Sequence, residues 1–266
     1  MKFFLIVTLL GFILLAQFID KIAKLQIVKL LKKLKLQSMY KFWIKIVSLI
    51  FIFIFSAYLF YLNSTVKSQF SAKVKVSNTI TQINYSFNDY PPELINMLLL
   101  VEDQSYFHHH GVDFKEIARV IYGYLFDDKA LRGASTITQQ LVKNSLLTRE
   151  KTFSRKSEEA LMALLLELSY DKEFILERYM NTVYLAQKGD MAYHGFAIGS
   201  YFYFDKDVKD LSLEDMATLV ALLKGPSYYN PVNFPDRLDR RVKMILKMHE
   251  NYKKYFDEFT CDRYLY

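Results

Sequence analysis

The sequence has almost no cysteine. Cys261 is the only one among 266 residues, so the chain cannot form an intrachain disulfide. Many proteins outside the cytoplasm also lack disulfides, so this absence says little about compartment. A lone cysteine this close to the C terminus is a poor candidate for a catalytic thiol.

Metal-ligand spacings and strand signals are scarce as well. Three consecutive histidines, His108 to His110, suggest a metal site, but adjacent side chains do not converge on one point, and no HExxH spacing occurs. We expect one of these histidines to order the loop beside Glu102. Because helical spacing recurs along the chain and strand signals are few, the expected fold class is mainly α.

Acidic residues are nearly absent from the first 63 residues. That stretch has nine lysines, no arginine and one aspartate, a net charge of +8. The whole chain carries +7 at pH 7, so the remaining residues sum to −1. The basic charge therefore lies beside apolar segments, where it indicates membrane topology and argues against nucleic acid as a partner.

Two apolar runs dominate this basic part of the chain. Residues 44–62 form a run of about 19 residues, long enough to cross roughly 30 Å of hydrocarbon. Residues 3–18 fit either a short span or a signal-peptide core, and the lack of a convincing cleavage site favours retention. Met39 also precedes an ordinary single-span beginning, so residues 1–38 are alternatively an extension or a misassigned start.

A lysine-rich loop between the two runs sets the expected topology. By the positive-inside tendency, its eight lysines place it in the cytoplasm and put everything after Asn63 on the extracytoplasmic face of the cytoplasmic membrane. A solvated linker and a helix on the membrane surface fit this loop equally well. We expect a membrane anchor over 1–63, a linker over 64–90 and a helical domain over 91–266.

Chemistry-bearing side chains concentrate between Glu102 and Glu159. Pro91 and Pro92 open a helix with an apolar stripe that ends at Val101. Glu102 lies at the border of that stripe, which predicts a partly desolvated carboxylate. An ordinary surface glutamate at a helix end is the alternative from this stretch alone.

Two later helix starts supply polar and cationic groups. Ser135 or Thr136 caps a helix on which Gln139 and Lys143, four residues apart, share a face. Thr152 or Ser154 caps the next helix, with two cations and a carboxylate in its first turns: Arg155, Lys156 and Glu159. Carboxylates can move protons and cations can hold anionic oxygens, so this set suits moving a sugar off a phosphate. A solvated lysine and a surface ion pair are the alternatives.

Further helices are predicted on both sides of this region. The apolar stripe of residues 114–126 belongs either to the core or to the bilayer surface. Later helices are expected over 172–181, 213–224 with a Ser212 cap, and 236–249, and Gly189 and Gly195 are expected in a loop before residues 197–206.

Five motifs in order resemble glycosyltransferase family 51, the peptidoglycan glycosyltransferases, over about residues 92–250. They are E-D-x-x-Y-F-x-H-x-G at 102–111, G-A-S-T-I-T-Q-Q-L-V-K-N at 133–144, R-K-x-x-E at 155–159, I-L-E-R-Y-M-N at 175–181, and a fifth at 211–231. Ala134 and Asp205 stand where the family usually has glycine.

The resemblance implies a lysozyme-like, two-lobed α fold that polymerises lipid II with inversion at the anomeric carbon. By position, Glu102 resembles the general base. Glu159 resembles the second carboxylate, which supports the donor's diphosphate or its divalent cation. The residues that resemble substrate contacts are Asp103, His109, Arg119, Ser135, Thr136, Gln139, Gln140, Lys143, Arg155 and Lys156.

Cofactors and partners follow from the same resemblance. It allows a divalent cation, Mg or Mn, and implies no organic cofactor. The implied partners are lipid II, the growing glycan strand, membrane lipid, and proteins of cell-wall synthesis and division. No S-x-x-K signature with its downstream partners follows, so a monofunctional enzyme is expected. A lysozyme-like glycan-cleaving enzyme and an inactive cell-wall scaffold are the alternatives.

Overall fold

The computed structural model describes residues 37–71, 85–126, 133–148, 150 and 152–257, together with Gln17 and Lys21. Nearly all of the first apolar run and most of the lysine-rich loop lie outside these residues. The chain divides into two units, Met1–Thr65 and Val66–Tyr266. The three-part division predicted above stays a prediction.

The first long helix, α1, spans Gln37–Ser71. It contains the predicted apolar run 44–62 and continues past Asn63 into the stretch expected to be linker. Large apolar side chains on it are exposed, Phe53 at 75% and Phe60 at 70%. Residues Met39–Ser71 are long and apolar enough to cross a membrane, and only 6% of the most apolar window is buried. An exposed apolar surface of this length suits hydrocarbon better than water.

The second unit is built mainly from helices, as predicted. In the described residues they are α2 Pro92–Glu102, α3 Phe114–Phe126, α4 Ile137–Leu146, α5 Phe153–Ser169, α6 Lys172–Thr182, α7 Phe196–Phe204, α8 Leu213–Leu223 and α9 Pro235–Asp257. Short 3₁₀ turns occupy Phe87–Asp89, Tyr106–His108 and Val208–Asp210.

Local sequence signals fix where most of these helices begin. Thr136, Thr152, Asp171 and Ser212 each cap a helix through the side-chain oxygen, which accepts from a backbone N–H of the first turn. Pro92 is the first residue of α2, where its missing N–H would be unpaired in any case. The four caps satisfy amides that no helical carbonyl can reach.

A small hairpin interrupts the helices where a loop was expected. Strands β1, Tyr184–Lys188, and β2, Met191–His194, pair antiparallel, with Lys188 opposite Met191. The turn between them contains Gly189 at φ 60°, a left-handed conformation that favours glycine. Gly189 therefore lies in a turn, as expected, but the residues on either side of that turn form strands and not a loop.

The core surrounds α2. This helix packs against α8 and α9, while α4 packs against α5 and α6. On α2, Leu94, Met97, Leu98 and Leu99 are all fully buried. Because the helix is held along its length, its last residue, Glu102, has a fixed position at the end of a rigid element.

The loop after α2 approaches α5 very closely at Gly111. This residue has φ 88°, and a Cβ atom added to it would lie 2.5 Å from the backbone oxygen of Ala163. Only glycine satisfies both the backbone conformation and the close approach. The glycine that ends the first motif thus brings the loop beside Glu102 onto the helix that carries Glu159.

Candidate active site

Glu102 is half-buried and is held by an oriented amide. The Nε2 of Gln140 donates to Glu102 Oε2 at 2.9 Å, and the hydroxyl of Tyr179 donates to Gln140 Oε1 at 3.0 Å. Because Oε1 accepts from Tyr179, the amide NH₂ must face Glu102. Burial raises the pKa of Tyr179 well above its usual range, so the phenol stays protonated and keeps donating.

Asp103 directly follows Glu102 in the chain, and both Asp103 and His109 are buried. Asp103 Oδ2 accepts from the backbone N–H of Ile137, the first residue of α4, at 2.9 Å. The Nε2 of His109 lies 3.0 and 3.1 Å from the two Asp103 oxygens. The expectation that one histidine orders the loop beside Glu102 is confirmed, and that histidine is His109. Asp103 thus joins the end of α2 to the start of α4, and His109 holds Asp103 in place.

The start of α4 is equally well bonded. Thr136 donates through Oγ1 to Gly111 O at 2.6 Å and accepts from Gln139 N at 3.1 Å. The side-chain oxygen of Gln139 accepts from Thr136 N at 3.1 Å, so this glutamine is buried in a capping box. Gln139 and Gln140 were expected together in the cleft, but only Gln140 reaches Glu102.

Glu159 is the second carboxylate, and it is 1% exposed. Arg155 Nη1 lies 2.9 Å from Glu159 Oε2, and Lys156 Nζ bonds Glu159 Oε1. The three side chains of this cluster together carry a net charge of +1, and the helix dipole adds positive charge at the start of α5. The predicted clustering of these three side chains is confirmed. Because Glu159 is buried, this cluster is not an ordinary surface ion pair.

One short segment connects the two carboxylates. Lys156 Nζ donates to Ser135 Oγ at 2.7 Å, while Gln140 reaches Glu102 from the first turn of α4. Ser135 and Gln140 are five residues apart, a span of at most about 17 Å even for extended chain. The Glu102 end and the Glu159 end therefore belong to one site.

Two predicted cations lie apart from this hydrogen-bonded set. Lys143 is exposed on α4, one turn after Gln140. Arg119 is exposed on α3 and pairs with Glu116. Within the described residues, neither is bonded to Glu102 or Glu159, so a substrate role for either stays a prediction.

The residues around Glu159 do not fit a metal held by the protein. Both of its oxygens are already bonded to cations. The described part of the chain contains no group of three His, Cys, Asp or Glu side chains that could hold a metal ion. Hard divalent cations need several oxygen ligands. A dependence on Mg or Mn stays a prediction.

A cavity of about 380 Å³ lies at the hairpin. Its walls are aromatic, aliphatic or uncharged polar, and the ten lining residues include no charged side chain. Among them are Tyr184, Gln187, Phe202, Tyr203 and Asn230. Tyr184 follows Tyr179 by five residues, so the Cα atoms of these two tyrosines are at most about 17 Å apart.

Sequence analysis missed Tyr179 and this cavity. Tyr179 belongs to the fourth motif, but its helix reads as an ordinary amphipathic segment, so nothing indicated that its hydroxyl would reach Gln140. The cavity depends on the hairpin, which was expected to be a loop.

A comparison with known protein families agrees with the motifs, the fold and the site. A family model described as Transglycosylase matches residues 68–250. The chain belongs to the transglycosylase family. The family expected from the five motifs is thereby confirmed, and the match covers all of the described second unit from Tyr85 to Glu250.

Several penicillin-binding proteins are similar to this transglycosylase chain. Penicillin-binding protein 1B of Haemophilus influenzae is 42% identical over 170 residues, which is 64% of this chain and 22% of that protein. The 1B protein of Escherichia coli K12 is 42% identical over 159 residues, 60% and 19% of the two chains. Penicillin-binding protein 1F of Bacillus subtilis is 39% identical over 163 residues, 61% and 22%. The chain thus matches about a fifth of the length of these relatives.

Proposed function

We propose that this chain is a peptidoglycan glycosyltransferase that polymerises lipid II into β-1,4 glycan strands. The observation that carries the proposal is the pairing of two carboxylates in opposite surroundings on one site. Glu102 faces a neutral amide and is half-buried, whereas Glu159 is buried between two cations. The first arrangement suits a base, and the second suits an anionic leaving group.

Glu102 acts as the general base. It removes the proton from the 4-hydroxyl of the acceptor sugar, and that oxygen forms a bond to the anomeric carbon of the donor strand. The bond between this carbon and the diphosphate oxygen breaks, and its electron pair leaves with the polyprenyl diphosphate. Attack from the face opposite the leaving group inverts the configuration and needs no covalent enzyme intermediate.

The Glu159 end receives the diphosphate. Arg155 and Lys156 carry more positive charge than Glu159 cancels, and they lie in the first turns of α5, a helix of 17 residues. Glu159 holds both cations in place before substrate arrives, so they do not have to reorganise as charge develops. Lys143, exposed one turn beyond Gln140, adds a further charge within reach of the same group.

The uncharged cavity at the hairpin suits the growing glycan. Aromatic faces and amide groups bind sugar rings without needing a charge. The diphosphate at the donor end is anionic and the sugar rings are neutral, so the strand would lie with its diphosphate at Glu159 and its sugar rings towards Tyr184. The two chemically distinct parts of the site match the two chemically distinct parts of the donor.

Membrane attachment on the extracytoplasmic face completes the proposal. Helix α1 is long and apolar enough to span, and the lysines before it favour a cytoplasmic N-terminal side. Helix α3 exposes Tyr122, Leu125 and Phe126 to at least 60%. This surface supports contact with membrane lipid, where the polyprenyl chain of the substrate resides.

A paired assay tests the function. The purified full chain is incubated with lipid II, and both polymer formation and release of polyprenyl diphosphate are measured. The same protein is incubated with finished glycan strands to measure cleavage. Polymerisation without cleavage supports the proposal. Cleavage without polymerisation identifies a lysozyme-like enzyme, and neither activity in a folded, lipid II-binding protein identifies a scaffold.

A further inference from the structure

A buried network of polar and charged side chains joins α4, α5 and α6, and the proposed chemistry does not use it. Glu167 on α5 has a side chain only 3% exposed, and Lys172 on α6 is 19% exposed. Thr138 on α4 is fully buried. Burying charges is expensive, and apolar side chains of similar volume hold helices together about as well. Stability alone does not account for this network.

One oxygen of Glu167 holds three segments together. Oε1 accepts from Thr138 Oγ1 at 2.6 Å and from Lys172 Nζ at 2.7 Å. The same oxygen lies 3.9 Å from Nδ1 of His109. Helix α4, helix α6 and the loop after α2 therefore meet at a single carboxylate oxygen on α5.

The other oxygen of Glu167 is buried without a hydrogen-bond partner among the described residues. A buried carboxylate with one bare oxygen is not the arrangement that maximises stability. It is acceptable where the position of the bonded oxygen matters more than its energy. Around it, His109 Nδ1 accepts from Gly111 N–H at 3.2 Å, so the ring proton lies on Nε2 and is donated to Asp103.

We propose that Glu167 is a positioning residue for the base. Through Thr138 it fixes the first turn of α4, and that turn carries the amide of Gln140 that holds Glu102. Asp103 holds the same turn independently of Glu167, through the amide of Ile137. The role rests on the proposed function of Glu102 and predicts an effect on turnover with little effect on substrate binding.

The variant that isolates this role is Glu167→Met with Lys172→Met. It removes both charges with similar volume, so neither is left buried and unpaired. We expect a melting temperature near that of the parent, kcat about tenfold lower or more, and KM within about twofold. Glu167→Gln keeps an acceptor oxygen for Thr138 and Lys172 but removes the negative charge that faces Lys172. Its melting temperature should fall, and its kcat should stay within about threefold of the parent.

Glu177→Ala is the matched control. Glu177 on α6 also accepts a part-buried bond, from the backbone N–H of Phe87 at 2.9 Å, and its side chain has no hydrogen bond to α4 among the described residues. Its loss should lower stability and leave kcat unchanged below the melting temperature.

A double-mutant cycle with Gln140→Ala tests the route. If Glu167 acts through Gln140, the methionine pair should change kcat less than about twofold once Gln140 is gone. Additive effects on kcat would overturn the proposal, as would a parental kcat in the methionine pair.

Hydrogen exchange supplies a readout that needs no activity. The amides of Ile137 and Gln140, which donate to Asp103 Oδ2 and Thr136 O, should exchange faster in the methionine pair and not in Glu177→Ala. Unchanged protection of α4 would overturn the positioning role. A parent that does not polymerise lipid II would overturn the proposed function instead, while the exchange result still decides the positioning role.

Discussion

Glu102 and Glu159 are both glutamates, and each lies near one end of the segment 135–140. Their surroundings differ in burial, in hydrogen-bond partners and in neighbouring charge. Glu102 ends a helix, is half-buried and touches one amide. Glu159 lies in the second turn of a helix, is fully buried and touches two cations. No cation balances the carboxylate of Glu102, whereas two cations compensate that of Glu159. The proposed roles of base and electrostatic support rest on this difference in environment, since the residue type is the same.

The largest effect is expected at the base. Glu102→Gln keeps the size and the hydrogen bonding to Gln140 but cannot accept a proton. Polymerisation should fall by about 10²–10⁴-fold, the usual contribution of a general base. Steady-state release of polyprenyl diphosphate measures it. Asp103→Asn serves as a comparison, because it should also melt at a lower temperature. A parental rate in Glu102→Gln would erase the contrast between the two carboxylates.

A smaller effect is expected from the exposed cation. Lys143→Ala should cost about 2–4 kcal/mol of transition-state stabilisation, the scale of one electrostatic contact to a developing charge. Stability should not change, since Lys143 is exposed. Lys247→Ala on α9 removes an equally exposed lysine and should leave kcat/KM unchanged. Equal rates for the two variants would remove Lys143 from the diphosphate end.

The orientation of Gln140 gives a finer test of the Glu102 end. Tyr179→Phe deletes only the hydroxyl that fixes which way the amide faces. We expect kcat to fall several-fold, in line with a hydrogen bond worth about 1 kcal/mol. Stopped assays on lipid II measure it. If the variant loses stability but keeps its turnover, the amide is oriented by something else.

A change far from both carboxylates should separate stability from activity. Ser212→Ala removes the cap of α8, whose hydroxyl accepts from Asp215 N at 3.2 Å. It should lower the free energy of unfolding by about 1 kcal/mol and leave turnover unchanged at low temperature. Chemical denaturation followed by circular dichroism checks the first part. A loss of turnover in a fully folded sample would show that α8 influences the site.

The smallest effect concerns acid. The bond from Lys209 lowers the pKa of Asp89 to about 2, and Ser86 adds to the shift. A depressed carboxyl pKa stabilises the fold above the unfolded value of roughly 4 and ceases to do so as pH falls towards 2. Lys209→Met should reduce this acid sensitivity slightly. Melting temperatures between pH 2 and 5 measure it, and identical curves for parent and variant would contradict it.

Much of this site was predictable from sequence because it rests on local patterns. Helix starts are indicated by Pro92, Thr136, Thr152 and Ser212. The first three of these helices carry Glu102, Gln140 and Lys156. The spacing of Arg155 and Glu159 within one helix forces them together. Such relations span three or four residues, where helical geometry leaves few alternatives.

What sequence did not show depends on contacts between distant segments. Tyr179 meets Gln140 across 39 residues, and Glu167 meets Thr138 across 29. No spacing rule links such pairs, since they depend on how α4, α5 and α6 pack. The hairpin at Tyr184 was missed because its strands are short and lack the usual strand residues. Gln139 differs again, because a capping box and a cleft contact look alike in sequence.

The most direct test of the central claim measures binding and turnover in parallel for Glu102→Gln and Glu159→Gln. Binding is followed with lipid II in nanodiscs, and turnover with the same substrate. The account predicts that Glu102→Gln binds lipid II within about threefold of the parent yet scarcely polymerises it, whereas Glu159→Gln loses both binding and turnover. If Glu102→Gln polymerised at the parental rate, or if both variants lost binding equally, the two carboxylates would not have the separate roles assigned to them.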